Sequence, residues 1–143
     1  MPITAEHMGR RYPVTSPYVV SQAKIAEFAE AVRDDNPAYF GDGPVAPPTF
    51  AAVIAAQAWG ALFDDEELGL ALNRTMHTDQ SFTFHRPLRP GDAVVAQLSI
   101  EKVRNRGNLE MITVLVDLNV DGETVCEARS TLMHTRPEEA GDE

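Results

Sequence analysis

A chain of 143 residues is long enough to bury one core and too short for two. Apolar residues at 43% and charged residues at 24% give the balance of a globular domain and exclude a disordered or fibrous one. The net charge of -10 excludes a nucleic-acid partner, whose phosphates require a basic footprint.

The opening Met1-Pro2-Ile3-Thr4-Ala5-Glu6-His7 has neither a basic start nor an apolar signal core, so a cytoplasmic chain is expected. Tyr18-Val19-Val20 reads as a short strand. Ser21 then supplies an N-cap oxygen for a helix from Gln22, in which Ile25, Phe28, Ala29 and Val32 form one apolar stripe. Pro37 disfavours helical backbone at Asn36, which places the end of this helix near Asp35. A turn-rich loop from Tyr39 to Pro48 leads to a second helix starting near Thr49, with the Thr49 hydroxyl read as its N-cap. Phe50 to Leu62 is apolar on nearly every side, which predicts a helix buried all round, and Ala51, Ala52, Ala55, Ala56 and Ala58 let a sheet approach it closely. The run ends at Phe63 and is interrupted by Gln57 and Gly60, short of the roughly 20 residues that a membrane helix needs.

From Thr75 the period becomes two. Met76, Thr78, Gln80, Phe82 and Phe84 alternate with His77, Asp79, Ser81, Thr83 and His85, which puts His77 and His85 on one face but too far apart to share a metal. A turn over Arg86 to Asp92 precedes strands at Val94 to Val103, Leu109 to Val120 and Thr124 to Thr135, with Asp121-Gly122 as a strong hairpin signal between the last two. The single cysteine, Cys126, has no disulfide partner and no neighbour at metal-ligand spacing, and is expected to be a small buried hydrophobe. These elements predict one domain over residues 1–136 and a fraying acidic tail over 137–143. The fold class is α+β, an antiparallel sheet wrapped around a central apolar helix. One such sheet leaves an edge strand uncovered, so a dimer or higher assembly is expected.

Two stretches carry a family resemblance. Asp34-Asp35-Asn36-Pro37-Ala38-Tyr39 is similar to the hydratase signature of MaoC-like hot-dog enzymes, in which Asp, one intervening residue, Asn-Pro and then His follow in order. The stretch from Phe82 to Asp92, preceded by Met76-His77-Thr78-Asp79-Gln80, resembles the N-terminal dehydratase-type subfamily of the same superfamily. With Ala46-Pro47-Pro48-Thr49-Phe50 it most resembles the substrate-binding subunit of actinobacterial (3R)-hydroxyacyl-ACP dehydratases. The resemblance implies a hot-dog fold and an acyl thioester carried on the phosphopantetheine of CoA or of an acyl carrier protein, with no cofactor of the chain's own. It also implies a homodimer, or a heterodimer with a catalytic MaoC-like subunit.

Dehydration of a 3-hydroxyacyl thioester needs a base for the proton beside the carbonyl, an acid for the departing hydroxyl and donors for the enolate-like oxygen. In the resembled signature the Asp and His share the first two tasks. Here Asp34 and Asn36 match, and Tyr39 stands where the His belongs. A tyrosine with a pKa of about 10 is a poor base at neutral pH where a histidine near 6.5 is well placed, although Tyr39 can donate a hydrogen bond. Asp34 and Asp35 also read as solvated acids closing a helix; against that, a carboxylate at a helix C-terminus is unfavourable by about 0.3 to 1 kcal/mol. The start of the second helix is the natural oxyanion site, where Pro47 and Pro48 remove two donors and leave the Thr49 and Phe50 amides.

The candidate catalytic residues are therefore Asp34, Asn36 and Tyr39. The candidate substrate-binding residues are Phe40, Pro48, Thr49, Phe50, Trp59 and His77. The aromatic members read equally as core, and His77 enters because its position in the resembled subfamily opens a segment lining the interface. Arg86 and Arg89, with Lys102, Arg104 and Arg106 further on, either steer a phosphate or face solvent. No metal spacing, nucleophile elbow or P-loop is present. Three functions stay open: a dehydratase or hydratase subunit whose partner supplies the catalytic His, a non-catalytic acyl-thioester-binding homodimer, and a homodimeric hot-dog thioesterase in which Asp34 or a neighbouring acid activates water.

Overall fold

Four long strands bury most of the apolar side chains. In the computed structural model, which describes residues 2–138, β1 (Tyr18–Val19), β2 (Thr75–Phe84), β3 (Ala93–Arg106), β4 (Leu109–Val120) and β5 (Glu123–Thr135) form one antiparallel sheet of order β1-β3-β4-β5-β2. Part of the acidic tail expected over 137–143 lies outside the described residues. Alternation along β4 sends Ile112, Val114, Val116 and Leu118 into the core and Met111, Thr113, Leu115 and Asp117 to the outer face. At the β4–β5 hairpin Asp121 and Gly122 have φ of 51° and 87°, the left-handed pair that a tight hairpin demands.

The helix α1 (Gln22–Ala31) begins as predicted, with Ser21 Oγ accepting from the Lys24 N–H at 3.1 Å. It stops at Ala31, short of the expected Asp35, and Pro37 is not the reason. Arg33 adopts a left-handed φ of 58°, and the bonds Arg33 N–H to Glu30 O (3.0 Å) and Asp34 N–H to Ala29 O (2.8 Å) close a Schellman motif. Asp34 and Asp35 therefore follow the helix instead of closing its last turn, and the dipole argument against them loses its force.

The second helix is not one continuous rod. It runs as a 3-10 turn (Pro48–Phe50), α2 (Ala51–Ala55), a second 3-10 turn (Ala56–Ala58) and α3 (Trp59–Phe63). Pro48 takes the first position of the opening turn, where a missing N–H costs nothing, so Thr49 sits inside the turn and makes no capping bond. Phe50, Ala51, Ile54, Ala55, Ala58 and Leu62 are buried, whereas Ala56, Gln57 and Gly60 are exposed and Val53 is 37% exposed. The sheet covers one side of this helix, not all of it.

In β2 the register slips between His77, opposite Leu132, and Asp79, opposite Thr131, so Thr78 forms a bulge. The bulge reverses the alternation expected from the sequence. His77 shares the helix-facing side with Gln80, Phe82 and Phe84, and His85 no longer lies on its face. At the Thr135 end of β5 a buried polar cluster ties down the N-terminal segment. Glu110 accepts from the Ile3 N–H (2.9 Å), from Arg136 Nε (2.9 Å) and from His134 Nδ1 (2.7 Å). His134 Nε2 accepts from the Ala71 N–H at 3.1 Å, so the ring proton is on Nδ1.

Candidate functional site

Short polar side chains shape the segment after α1. Asp34 Oδ1 accepts from the Asn36 N–H at 3.1 Å, and Asn36 Oδ1 accepts from the Ala38 N–H at 3.0 Å, capping a 3-10 turn over Pro37–Tyr39. The returning loop is held by Val45 N–H to Ala38 O (3.0 Å) and Ala46 N–H to Leu88 O (2.8 Å), and its outer bend by Gln22 Nε2 to Gly41 O (2.8 Å). These bonds leave Tyr39 only 8% exposed at the base of the loop.

The facing wall is the exit from β2. The His85 N–H donates to Val125 O at 2.9 Å, and the next turn is locked by Asp92, which accepts from Arg86 Nη1 (2.8 Å), Arg86 Nη2 (3.1 Å) and the Arg89 N–H (2.8 Å). Burial by itself pushes the Asp92 carboxyl up, but the Arg86 guanidinium and the Arg89 amide outweigh it and hold the group below the usual carboxylate range. The guanidinium is committed to this clamp. His85, by contrast, is more than half exposed, with Nε2 3.5 Å from Glu127.

Between the walls lies an open cavity of about 520 Å³. Asn36, Ala38, Tyr39, Val45, Ala46 and Pro48 line it on the loop side. Phe84, His85, Arg86 and Pro87 line it on the strand side. Its size and its mainly apolar walls with a few convergent polar groups are those of a small-molecule site. Burial raises the Tyr39 hydroxyl above its ordinary pKa, and the charge of the neighbouring Asp34 carboxylate raises it further. Tyr39 thus keeps its proton at neutral pH and can donate a hydrogen bond but not act as a base.

Of the residues singled out in the sequence, Asn36, Tyr39 and Pro48 line the cavity, and Asp34 reaches it through Tyr39. Phe40 is half-buried against the core, and Thr49 is exposed beside Pro48. Phe50 is fully buried, edge-on to Phe28 and Tyr18 with ring centroids 5.4 and 6.1 Å away. Its N–H donates to Pro47 O at 2.9 Å, which removes one of the two amides expected at the oxyanion position. Trp59 and His77 meet edge to face at 4.9 Å outside the cavity lining, and the buried Trp59 indole N–H finds no acceptor among the described residues. Ala38, Val45, Ala46, Phe84 and Pro87 were not among the sequence candidates. Small or apolar residues carry no chemical signal of their own, although Phe84, His85, Arg86 and Pro87 fall in the Phe82–Asp92 stretch and Ala46 in the Ala46–Phe50 stretch that carried the resemblance. Among the described residues no group of three His, Cys, Asp or Glu is placed to hold a metal, and no helix is long and apolar enough to cross a membrane.

A curled antiparallel sheet around a central helix, with a ligand-sized cavity where β2 ends, defines a hot-dog protein of the dehydratase kind. The chain belongs to the family of the FAS1-like dehydratase domain region, whose model matches residues 6–128. A UPF0336 protein of Cutibacterium acnes is 55% identical over 139 residues, covering 96% of this chain and 98% of that one. Among solved structures, the C-terminally truncated HadBC (3R-hydroxyacyl-ACP dehydratase) complex of Mycobacterium tuberculosis is 31% identical with a TM-score of 0.78, over 92% of this chain and 99% of the matched one. A MaoC-like dehydratase, 25% identical with a TM-score of 0.82, is matched over 92% of this chain and 43% of its own length.

Proposed function

We propose that the chain is the acyl-thioester-binding subunit of a (3R)-hydroxyacyl-thioester dehydratase, with a MaoC-like partner chain supplying the catalytic histidine and no cofactor of its own. The observation that carries this reading is Tyr39. It occupies the position of the signature histidine, lines a cavity of small-molecule size, and stays protonated at neutral pH, so it cannot serve as the base. In this reading the partner's base removes the proton beside the thioester carbonyl, the electron pair of that C–H bond becomes the new double bond, and the hydroxyl at the next carbon takes a proton from an acid of the partner and leaves as water. The present chain contributes the apolar channel, the Asn36 amide and the Tyr39 hydroxyl as hydrogen-bonding groups. Kinship with a (3R-hydroxyacyl-ACP) dehydratase complex supports a shared site.

The test is hydration of crotonyl and longer enoyl thioesters by the purified chain alone, and again after co-expression with a MaoC-like hot-dog partner. Activity should require the partner. Full hydration by the chain alone sinks the subunit reading. A Tyr39→His variant that gains activity by itself supports the account of a lost histidine.

A further inference from the structure

The loop wall of the cavity is built from small side chains on a fixed backbone. Ala38 is held through its N–H by Asn36 and through its carbonyl by Val45, and Ala46 is held through its N–H by Leu88. The space beside them is therefore not the product of a slack loop. Two of the positions that bound it, Ala38 and Ala46, carry a single methyl group each. Val45, Pro48, Phe84 and Pro87 supply further apolar surface.

We infer that Ala38 and Ala46 set the length of acyl chain that this cavity accepts. The inference rests on the acyl-thioester reading above and adds which residues read the substrate. Both residues line the cavity, so side-chain bulk added at either competes with the ligand for its room. Ala38 lines the cavity and both of its backbone groups are already bonded, so a larger side chain there takes up room at the cavity wall while the hydrogen bonds of the turn stay in place. Ala46 is 7% exposed and is the buried counterpart of the same wall. Each methylene kept out of the cavity lowers affinity by roughly fourfold, so a leucine that displaces three lowers it by about fiftyfold.

The experiment is calorimetric titration of the purified chain with butyryl-, octanoyl- and dodecanoyl-CoA. The unaltered chain should bind the octanoyl thioester more tightly than the butyryl one. Ala38→Leu should weaken octanoyl and dodecanoyl binding by at least about tenfold and butyryl binding by less than about threefold. Ala38→Ser, of nearly unchanged size, should leave all three within threefold. Thermal unfolding of each variant checks the fold, and Ala46→Val repeats the test should Ala38→Leu unfold. Equal weakening at all lengths, or none, in a folded variant overturns the inference while leaving the thioester reading in place. Failure of the unaltered chain to bind any of the three overturns the thioester reading, and the inference with it.

Discussion

Asp92→Ala removes the clamp that fixes the strand-side wall of the cavity. Three bonds go at once: Arg86 Nη1 at 2.8 Å, Arg86 Nη2 at 3.1 Å and the Arg89 N–H at 2.8 Å. A fully exposed ion pair contributes at most about 1 kcal/mol, whereas a buried hydrogen bond to a charged group contributes about 1.5 to 3 kcal/mol. The Asp92 side chain is 14% exposed and that of Arg86 is 34% exposed, so solvent screens part of the interaction and the loss should be about 2 kcal/mol. For a domain of this size that lowers the unfolding midpoint by roughly 5 °C. The pH dependence follows from the direction of the shift. The folded carboxyl titrates below its unfolded value of about 3.9, so the stabilisation is fully present above that value and is lost as pH falls through the depressed folded one. Urea unfolding of both proteins, followed by Trp59 fluorescence at pH 7, 5 and 3.5, should therefore show the same difference at pH 7 and 5 and a smaller one at pH 3.5. A difference under about 0.5 kcal/mol at pH 7, or one that disappears between pH 7 and 5, refutes the reasoning.

Two further outcomes concern parts of the molecule away from the cavity. Glu110→Ala leaves the His134 ring N–H, the Ile3 N–H and Arg136 Nε without their acceptor at a site 2% exposed, and should lower stability by roughly 3 to 5 kcal/mol in urea titration; a loss below about 1 kcal/mol would contradict that assignment. Burial pushes the Cys126 thiol up to about 12, helped by the charges of Glu127 and Asp117. It should resist a disulfide reagent at pH 8 until the chain is unfolded, and labelling of the native protein at the rate of a free thiol would show the site to be open.

The fold was readable wherever one regular period ran without interruption. Leu109 to Val120 alternates cleanly, and the observed β4 has the same ends; Asp121-Gly122 announces its hairpin, and Ser21 its helix. The departures came where a single residue broke the regularity. Arg33 ends α1 in a left-handed conformation that an arginine does not advertise as a glycine does, and nothing in the sequence separates Ala55 from Ala56 as the place where the second helix tightens. The site was half legible. Asp34, Asn36 and Tyr39 stood out because their spacing matched a signature, and Pro48 because it stands with Pro47 just before the second helix in a stretch that carried the resemblance. The rest of the cavity depends on backbone bonds between distant segments, Ala46 to Leu88 above all, and a long-range bond to an alanine leaves no trace in local pattern.

The bulge at Thr78 makes β2 two short strands written in different frames. Up to His77 the odd positions look toward the helix, and from Asp79 onward the even positions do. Loss of one residue at the bulge would therefore rotate Thr75–His77 by half a turn about the strand axis. Met76, now 60% exposed, would be driven against α3, and the His77 ring would leave its edge-to-face contact with Trp59 for solvent. The same loss a few residues later would instead turn Phe82 or Phe84 outward and strip an aromatic wall from the cavity. Neighbouring single-residue deletions in one strand thus damage different ends of the molecule, and an alignment that slides a gap freely between them confuses a change beside Trp59 with a change in the ligand site.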